Sequence, residues 1–145
     1  MTGVLIDTNI PLNVWLHDVS APRPMSIASA SVLAAAANGA IQAFMTPTIF
    51  ANAFYLAHRT LGKRKAIALG NDLLDIAQVI GQDGNVLRKA LNAGWTDAED
   101  AMQYHAAIAD PGISMICTTN ARHFKLAKGI KVYTPVQLSA MLRSA

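Results

Sequence analysis

The acidic residues that could do chemistry together fall in two places. Asp7 ends the apolar run Val4-Leu5-Ile6 and is followed by Thr8 and Asn9. An apolar run without alternation suits a strand buried on both faces. In parallel α/β sheets, ligands bind at the carboxyl ends of such strands. Asp7 is therefore either a ligand residue or a turn and cap residue, with Thr8 and Asn9 capping and positioning the helix behind it. The second place is Thr96-Asp97-Ala98-Glu99-Asp100. Thr96 and Glu99 have the spacing of a capping box. Plotted as a helix, Ala98, Ala101, Met102, His105, Ile108 and Ala109 form one apolar arc. Asp97 and Asp100 share a flank of that arc with Tyr104, and Glu99 falls on the other. This reading gives Glu99 a structural role and places His105 in the core. It leaves Asp97 and Asp100 as candidates for chemistry, or as acids drawn to a helix start by its dipole.

Two further groups of polar residues are candidates. Thr48, Asn52, Tyr55 and Arg59 form a stripe opposite Ile49, Phe50, Ala53, Phe54 and Ala57. That stripe is either a solvated face or part of a site. Asn120 follows the apolar segment Ser114–Thr118 and is either a cap or a site residue. Cys117 falls inside that segment, where a thiol is inert.

The elements that must position these residues alternate in type. Strands are expected at Val4–Ile6, Ile41–Met45, Ile76–Ile80, Ser114–Thr118 and Lys131–Tyr133. Helices are expected at Ile10–His17, Met25–Asn38, Thr46–Thr60, Lys63–Leu74, Gly84–Asn92, Thr96–Ala109, Ala121–Ala127 and Pro135–Leu142. A loop over 18–24 carries two prolines. Pro11, Pro47 and Pro135 suit first turns, and Gly39 and Gly62 suit helix ends. Strand–helix alternation predicts an α/β fold with a parallel sheet.

The chain has 145 residues, which fits one domain. Hydrophobic residues make up 52% and charged residues 14%, the opposite of a disordered chain. The apolar surplus predicts a surface for a partner or for self-association. Twelve Lys and Arg against nine Asp and Glu give a net charge of +3. Basic residues gather at Arg59-Lys63-Arg64-Lys65 and along Arg122-Lys125-Lys128-Lys131, which is compatible with a phosphate-rich ligand. No apolar stretch reaches membrane-spanning length. A lone Cys117 and a start without a basic or signal-like run lead to the expectation of a cytoplasmic protein.

Taken together, four stretches resemble a PIN domain, in particular a VapC-like toxin of a bacterial toxin–antitoxin pair. They are Val4-Leu5-Ile6-Asp7-Thr8-Asn9, Thr46-Pro47-Thr48-Ile49-Phe50-Ala51-Asn52, Asp97-Ala98-Glu99-Asp100-Ala101-Met102-Gln103, and Ile116-Cys117-Thr118-Thr119-Asn120-Ala121-Arg122-His123-Phe124. The resemblance covers nearly the whole chain. It implies one domain over 1–145, with a three-layer α/β/α fold around a central, mostly parallel sheet. It also implies a Mg²⁺- or Mn²⁺-dependent endoribonuclease with an acidic quartet. Asp7 matches the first acid and Asp100 the third. Asn52 stands where the second acid, usually Glu, is expected, and Asn120 stands at the fourth, which is Asp or Asn in relatives. His123 stands where many relatives have Asp before Phe. Amides coordinate hard cations more weakly than carboxylates and bring no charge.

On this resemblance Asp7 and Asp100 hold the metal, with Asp97 as an additional acid. Asn52 and Asn120 hold its waters, and Arg59 and Arg122 hold flanking phosphates. The implied partners are RNA, a cognate antitoxin and a second copy of the chain. Two other readings stand beside it. One is a PIN fold that binds RNA or protein without efficient cleavage. The other is an unrelated α/β phosphotransfer or nucleotide-binding domain. Against the latter, Asn9 occupies the place where a haloacid-dehalogenase-like site needs a second Asp, and no glycine-rich phosphate loop follows any strand.

Overall fold

The computed structural model describes residues 1–19 and 21–144. The expected loop over 18–24 includes residue 20, which lies outside the described residues. The strands are β1 (Thr2–Ile6), β2 (Ile41–Met45), β3 (Ala77–Val79), β4 (Met115–Cys117) and β5 (Lys131–Tyr133). The helices are α1 (Asn9–Trp15), α2 (Arg23–Ala37), α3 (Pro47–Leu61), α4 (Lys63–Ile76), α5 (Gly84–Leu91), α6 (Ala98–Ile108) and α7 (Pro135–Arg143). The segment Ala121–Phe124 is a 3₁₀ turn rather than the longer helix expected there.

All strand pairs are parallel, in the order β3-β2-β1-β4-β5. The chain winds outward from β1 to β3, then crosses to β4 and winds the other way. Helices cover both faces, giving three α/β/α layers. The central strands β1 and β4 read as apolar runs because both faces are covered. Val4, Leu5, Ile6 and Ile116 are all fully buried. Each such aliphatic side chain contributes roughly 1.5–3 kcal/mol on leaving water.

This winding creates a switch point between β1 and β4, where the two connections depart in opposite directions. A crevice opens there beyond the carboxyl ends of the strands. Two local features keep those strands close. The Asp7 amide donates to the Cys117 carbonyl at 3.0 Å, extending the ladder past β1. At the other end, a side chain at Gly3 would place its Cβ 1.8 Å from the Gly112 carbonyl oxygen.

Candidate active site

Asp7 emerges from β1 at the switch point and is 5% exposed. Three donors fix its carboxylate. The Thr8 amide donates to Oδ1 at 2.7 Å, Gln103 Nε2 donates to the same oxygen at 3.0 Å, and Thr118 Oγ1 donates to Oδ2 at 2.8 Å. These bonds come from β1's own turn, from α6 and from the end of β4. Oδ1 is thus fully engaged by its two donors, while Oδ2 keeps a lone pair.

Asp100 approaches from α6. Asp97 caps that helix, its Oδ1 accepting from the Asp100 amide at 3.0 Å. The expected capping box of Thr96 and Glu99 is therefore not formed; the cap is one residue later. Asp97 begins the helix and Asp100 lies one turn in, 7% exposed. Burial pushes the Asp100 carboxyl up to about 7, with further contributions from Asp7, Asp97 and Glu99. His123 Nδ1 stands 3.6 Å from Asp100 Oδ2.

The expected apolar arc of α6 is also corrected. Ala98, Ile108 and Ala109 are exposed, whereas Asp100, Gln103, Tyr104 and Ala107 are buried. Ala101 is buried as expected, but the buried face is rotated so that it also takes in Asp100 and Gln103, polar groups of the site. Glu99 is corrected with it. Its Oε1 accepts from Asn52 Nδ2 at 2.7 Å, and it lines the same cleft. Burial, then Asp97 and Asp7, raise the Glu99 carboxyl above its ordinary value, partly offset by the bond from Asn52.

The cleft holds about 320 Å³ and is open to solvent. Asp7, Asp97, Asp100, Glu99, Asn52 and Asn120 line it, with Thr8, Asn9, Gln103, Tyr55 and Leu56. Sequence positions nearly a hundred residues apart thus meet at one strand edge. Thr8 does not act as a side-chain cap; its contribution is the amide donated to Asp7. Asn9 is the first residue of α1, and its Nδ2 donates to Thr119 Oγ1 at 3.3 Å, tying the β1 turn to the β4 turn. The Asn120 amide donates to Thr118 Oγ1 at 3.1 Å. Arg59 is exposed in the last turn of α3, where a cation complements the helix dipole, and does not line this cleft. Arg122 lines a neighbouring cleft instead.

Two groups stand outside the chemistry, as expected. Cys117 is fully buried, and burial together with Asp7 pushes its thiol up to about 12, so it carries no thiolate near neutrality. Both nitrogens of His105 are buried without hydrogen-bond partners, and burial with nearby Lys89 lowers its basicity.

Gln103, Thr118 and Glu99 are the site residues that the sequence reading did not single out. Gln103 follows Asp100 by three positions, the spacing that puts two helix residues on one face. That signal was present, but four alanines in this helix give several equally apolar arcs.

Among the described residues, no three His, Cys, Asp or Glu side chains form a ready metal cage. The donors that do converge are carboxylate oxygens with amide oxygens beside them. That set suits a hard cation that retains water.

The PIN domain family model matches residues 3–122, and the chain belongs to that family. No curated protein matches the sequence. Among solved structures the fold is similar to VapBC2 from Rickettsia felis bound to a DNA fragment from its promoter. That match has 15% identity and a TM-score of 0.65, covering 92% of this chain and 98% of the other. DNA-bound VapBC from Salmonella typhimurium is similar at 17% identity and a TM-score of 0.65, covering 93% and 99%. VapC20 of Mycobacterium tuberculosis, a toxin that cleaves the sarcin-ricin loop, is similar at 14% identity and a TM-score of 0.57, covering 78% and 86%.

Proposed function

We propose that this chain is a divalent-cation-dependent endoribonuclease and the toxin of a toxin–antitoxin pair. The observation that carries the reading is the meeting of Asp7 and Asp100 in an open cleft at the switch point, with Asp100's proton affinity raised by burial and then by its acidic neighbours. Membership of the PIN family supports it, as do structural neighbours described as VapBC complexes and an RNA-cleaving toxin.

Mg²⁺ or Mn²⁺ is the cation in this reading, held by Asp7 and Asp100 with Asp97 and Glu99 adding negative charge. Such a cation, when bound, activates water and neutralises charge on the scissile phosphate. The chain's own residues do the positioning. Thr8, Gln103 and Thr118 hold the Asp7 carboxylate, which lines the cleft, and leave Oδ2 with a single donor. Asn52 holds Glu99, which supplies a carboxylate near the place where relatives carry their second acid. Asn120 lines the same cleft and can orient water. Arg122 takes a flanking phosphate, and Arg59 takes one only from a longer RNA, because it lies outside the cleft. A cognate antitoxin and a second copy of the chain are the proposed protein partners. No helix of the described residues is long and apolar enough to cross a membrane.

The test is cleavage of structured RNA with Mn²⁺, with and without chelator. Chelator-sensitive cleavage that is lost in Asp7→Asn and Asp100→Asn is expected. Cleavage at wild-type rate in either variant would refute the assignment. A non-cleaving, RNA-binding PIN module is the second reading. Asn52 in place of a carboxylate favours it, and RNA binding without cleavage would decide for it.

A further inference from the structure

A second cleft of about 440 Å³ adjoins the acidic one, and Asp97 lines both. Its other walls are Trp95, Thr96, Arg122, His123, Lys125 and Leu126. We propose that this cleft is a subsite for one unpaired nucleotide of RNA, the base against Trp95 and Leu126 and a phosphate on Arg122 and Lys125. The proposal rests on the ribonuclease reading and specifies which part of its substrate the enzyme grips.

The cleft has both properties that single-stranded nucleic acid requires, an aromatic platform and uncompensated cations. Trp95 is a half-buried loop residue held rigidly against the core. Its ring stacks on Tyr104 with centroids 5.2 Å apart and meets Phe124 edge-on at 5.4 Å. Tyr104 is itself anchored, its hydroxyl donating to the Lys128 carbonyl at 2.6 Å and accepting from the Lys128 amide at 3.1 Å. The platform therefore loses little freedom when a base settles on it. Arg122 and Lys125 are exposed, and neither forms an ion pair among the described residues. His123 joins the two clefts, since it lines this one and contacts Asp100. A phosphodiester at Asp7 and Asp100 thus leaves its neighbouring nucleotide beside Trp95. An acidic peptide would satisfy Arg122 and Lys125 but has no planar ring to match the indole.

The experiment uses Trp15→Phe protein, in which Trp95 is the only indole, with chelator present to prevent cleavage. Indole fluorescence is titrated with heptauridylate, with an abasic chain of equal length and with a hexaglutamate peptide. Quenching by heptauridylate, about tenfold weaker for the abasic chain and absent for the peptide, is expected. An equal response to the abasic chain, a response to the peptide alone, or no response overturns the subsite. In a parallel cleavage assay on unstructured RNA, Lys125→Glu and Trp95→Leu should each raise KM about tenfold with Mn²⁺ affinity unchanged. Lys125 is exposed, so its variant keeps the test independent of packing at Trp95. Cleavage by wild type with KM unmoved in both variants sinks the subsite and leaves the ribonuclease reading standing. Selective quenching without cleavage does the reverse.

Discussion

Asn52 of α3 donates from Nδ2 to Glu99 Oε1 of α6 across 2.7 Å, so a neutral amide and the only Glu of the chain share one wall of the acidic cleft. The pair links α3 to α6 beside the cleft. Glu99 carries the charge that Asn52 lacks. Glu99→Gln should therefore weaken Mn²⁺ binding by roughly ten- to a hundredfold, the range of a lost charged contact. Asn52→Ala should weaken it less, because the carboxylate remains but is no longer held. Asn52→Glu sets two carboxylates side by side and should lower the thermal stability of the metal-free protein. Titration calorimetry with Mn²⁺ and thermal unfolding measure these effects. Equal affinity for Glu99→Gln would return Glu99 to a purely structural role.

Asp100 makes stability depend on pH in a defined direction. The folded protein keeps its proton up to about 7, against an ordinary value of 3.8. Between those values the folded state binds more protons than the unfolded chain, so stability falls as pH rises. The penalty is absent below about pH 4 and complete above about pH 7. Solvent screening in an open cleft brings it to roughly 2 kcal/mol. Asp100→Asn should then raise the apo Tm at pH 8 by about 3–8 °C and flatten this part of the pH profile. Mn²⁺ competes with the same proton, so its affinity should drop as pH is lowered below 7. A wild-type Tm that rises steadily from pH 5 to 8 without metal would contradict the assignment.

Gly3 offers a test of how the two central strands are joined. Its carbonyl accepts from the Ser114 amide at 2.9 Å, and a Cβ on it would lie 1.8 Å from the Gly112 oxygen. Backbone must move to admit that carbon. Gly3→Ala should destabilise by about 3 kcal/mol or more, while Gly112→Ala, whose Cβ meets the Asp110 side chain at 3.1 Å, should have a mild effect. Denaturant unfolding of both variants reads this directly, and similar midpoints would show that the strand ends part easily.

The architecture was readable because β1 and β4 are short apolar runs ended by polar turns, and because Pro47, Gly62 and Pro135 mark helix boundaries. Asp7, Asp100 and Asn120 could be placed together because a parallel sheet sends strand ends to one edge. What failed was the phase of α6. Its many alanines carry little contrast between faces, so the buried polar pair Asp100 and Gln103 was outweighed by Met102, His105 and Ile108. The same error turned Glu99 away from the cleft. Trp95 could not be read as lining a cleft because its partners, Tyr104, Phe124 and Arg122, come from segments that only tertiary packing unites.

Thr118 tests whether the cleft depends on a preset Asp7. It is fully buried just beyond β4, donating from Oγ1 to Asp7 Oδ2 at 2.8 Å while accepting from the Asn120 amide at 3.1 Å. One hydroxyl therefore orients both the Asp7 carboxylate and the turn that carries Asn120. Thr118→Val keeps the shape and removes the hydroxyl, leaving Asp7 with one donor fewer and the Asn120 amide without its acceptor. Loss of a charged hydrogen bond in a buried setting costs about 1.5–3 kcal/mol. The apo Tm should fall accordingly. Mn²⁺ affinity should fall by roughly ten- to a hundredfold, as when a ligand loses the partner that orients it. Thr118→Ser retains the hydroxyl and should recover most of the metal affinity despite the lost methyl packing. Calorimetric titration of the three proteins separates the two effects. Stability lost in the valine variant with Mn²⁺ affinity unchanged would mean that Thr118 only packs the strand end and that Asp7 is oriented by Thr8 and Gln103 alone.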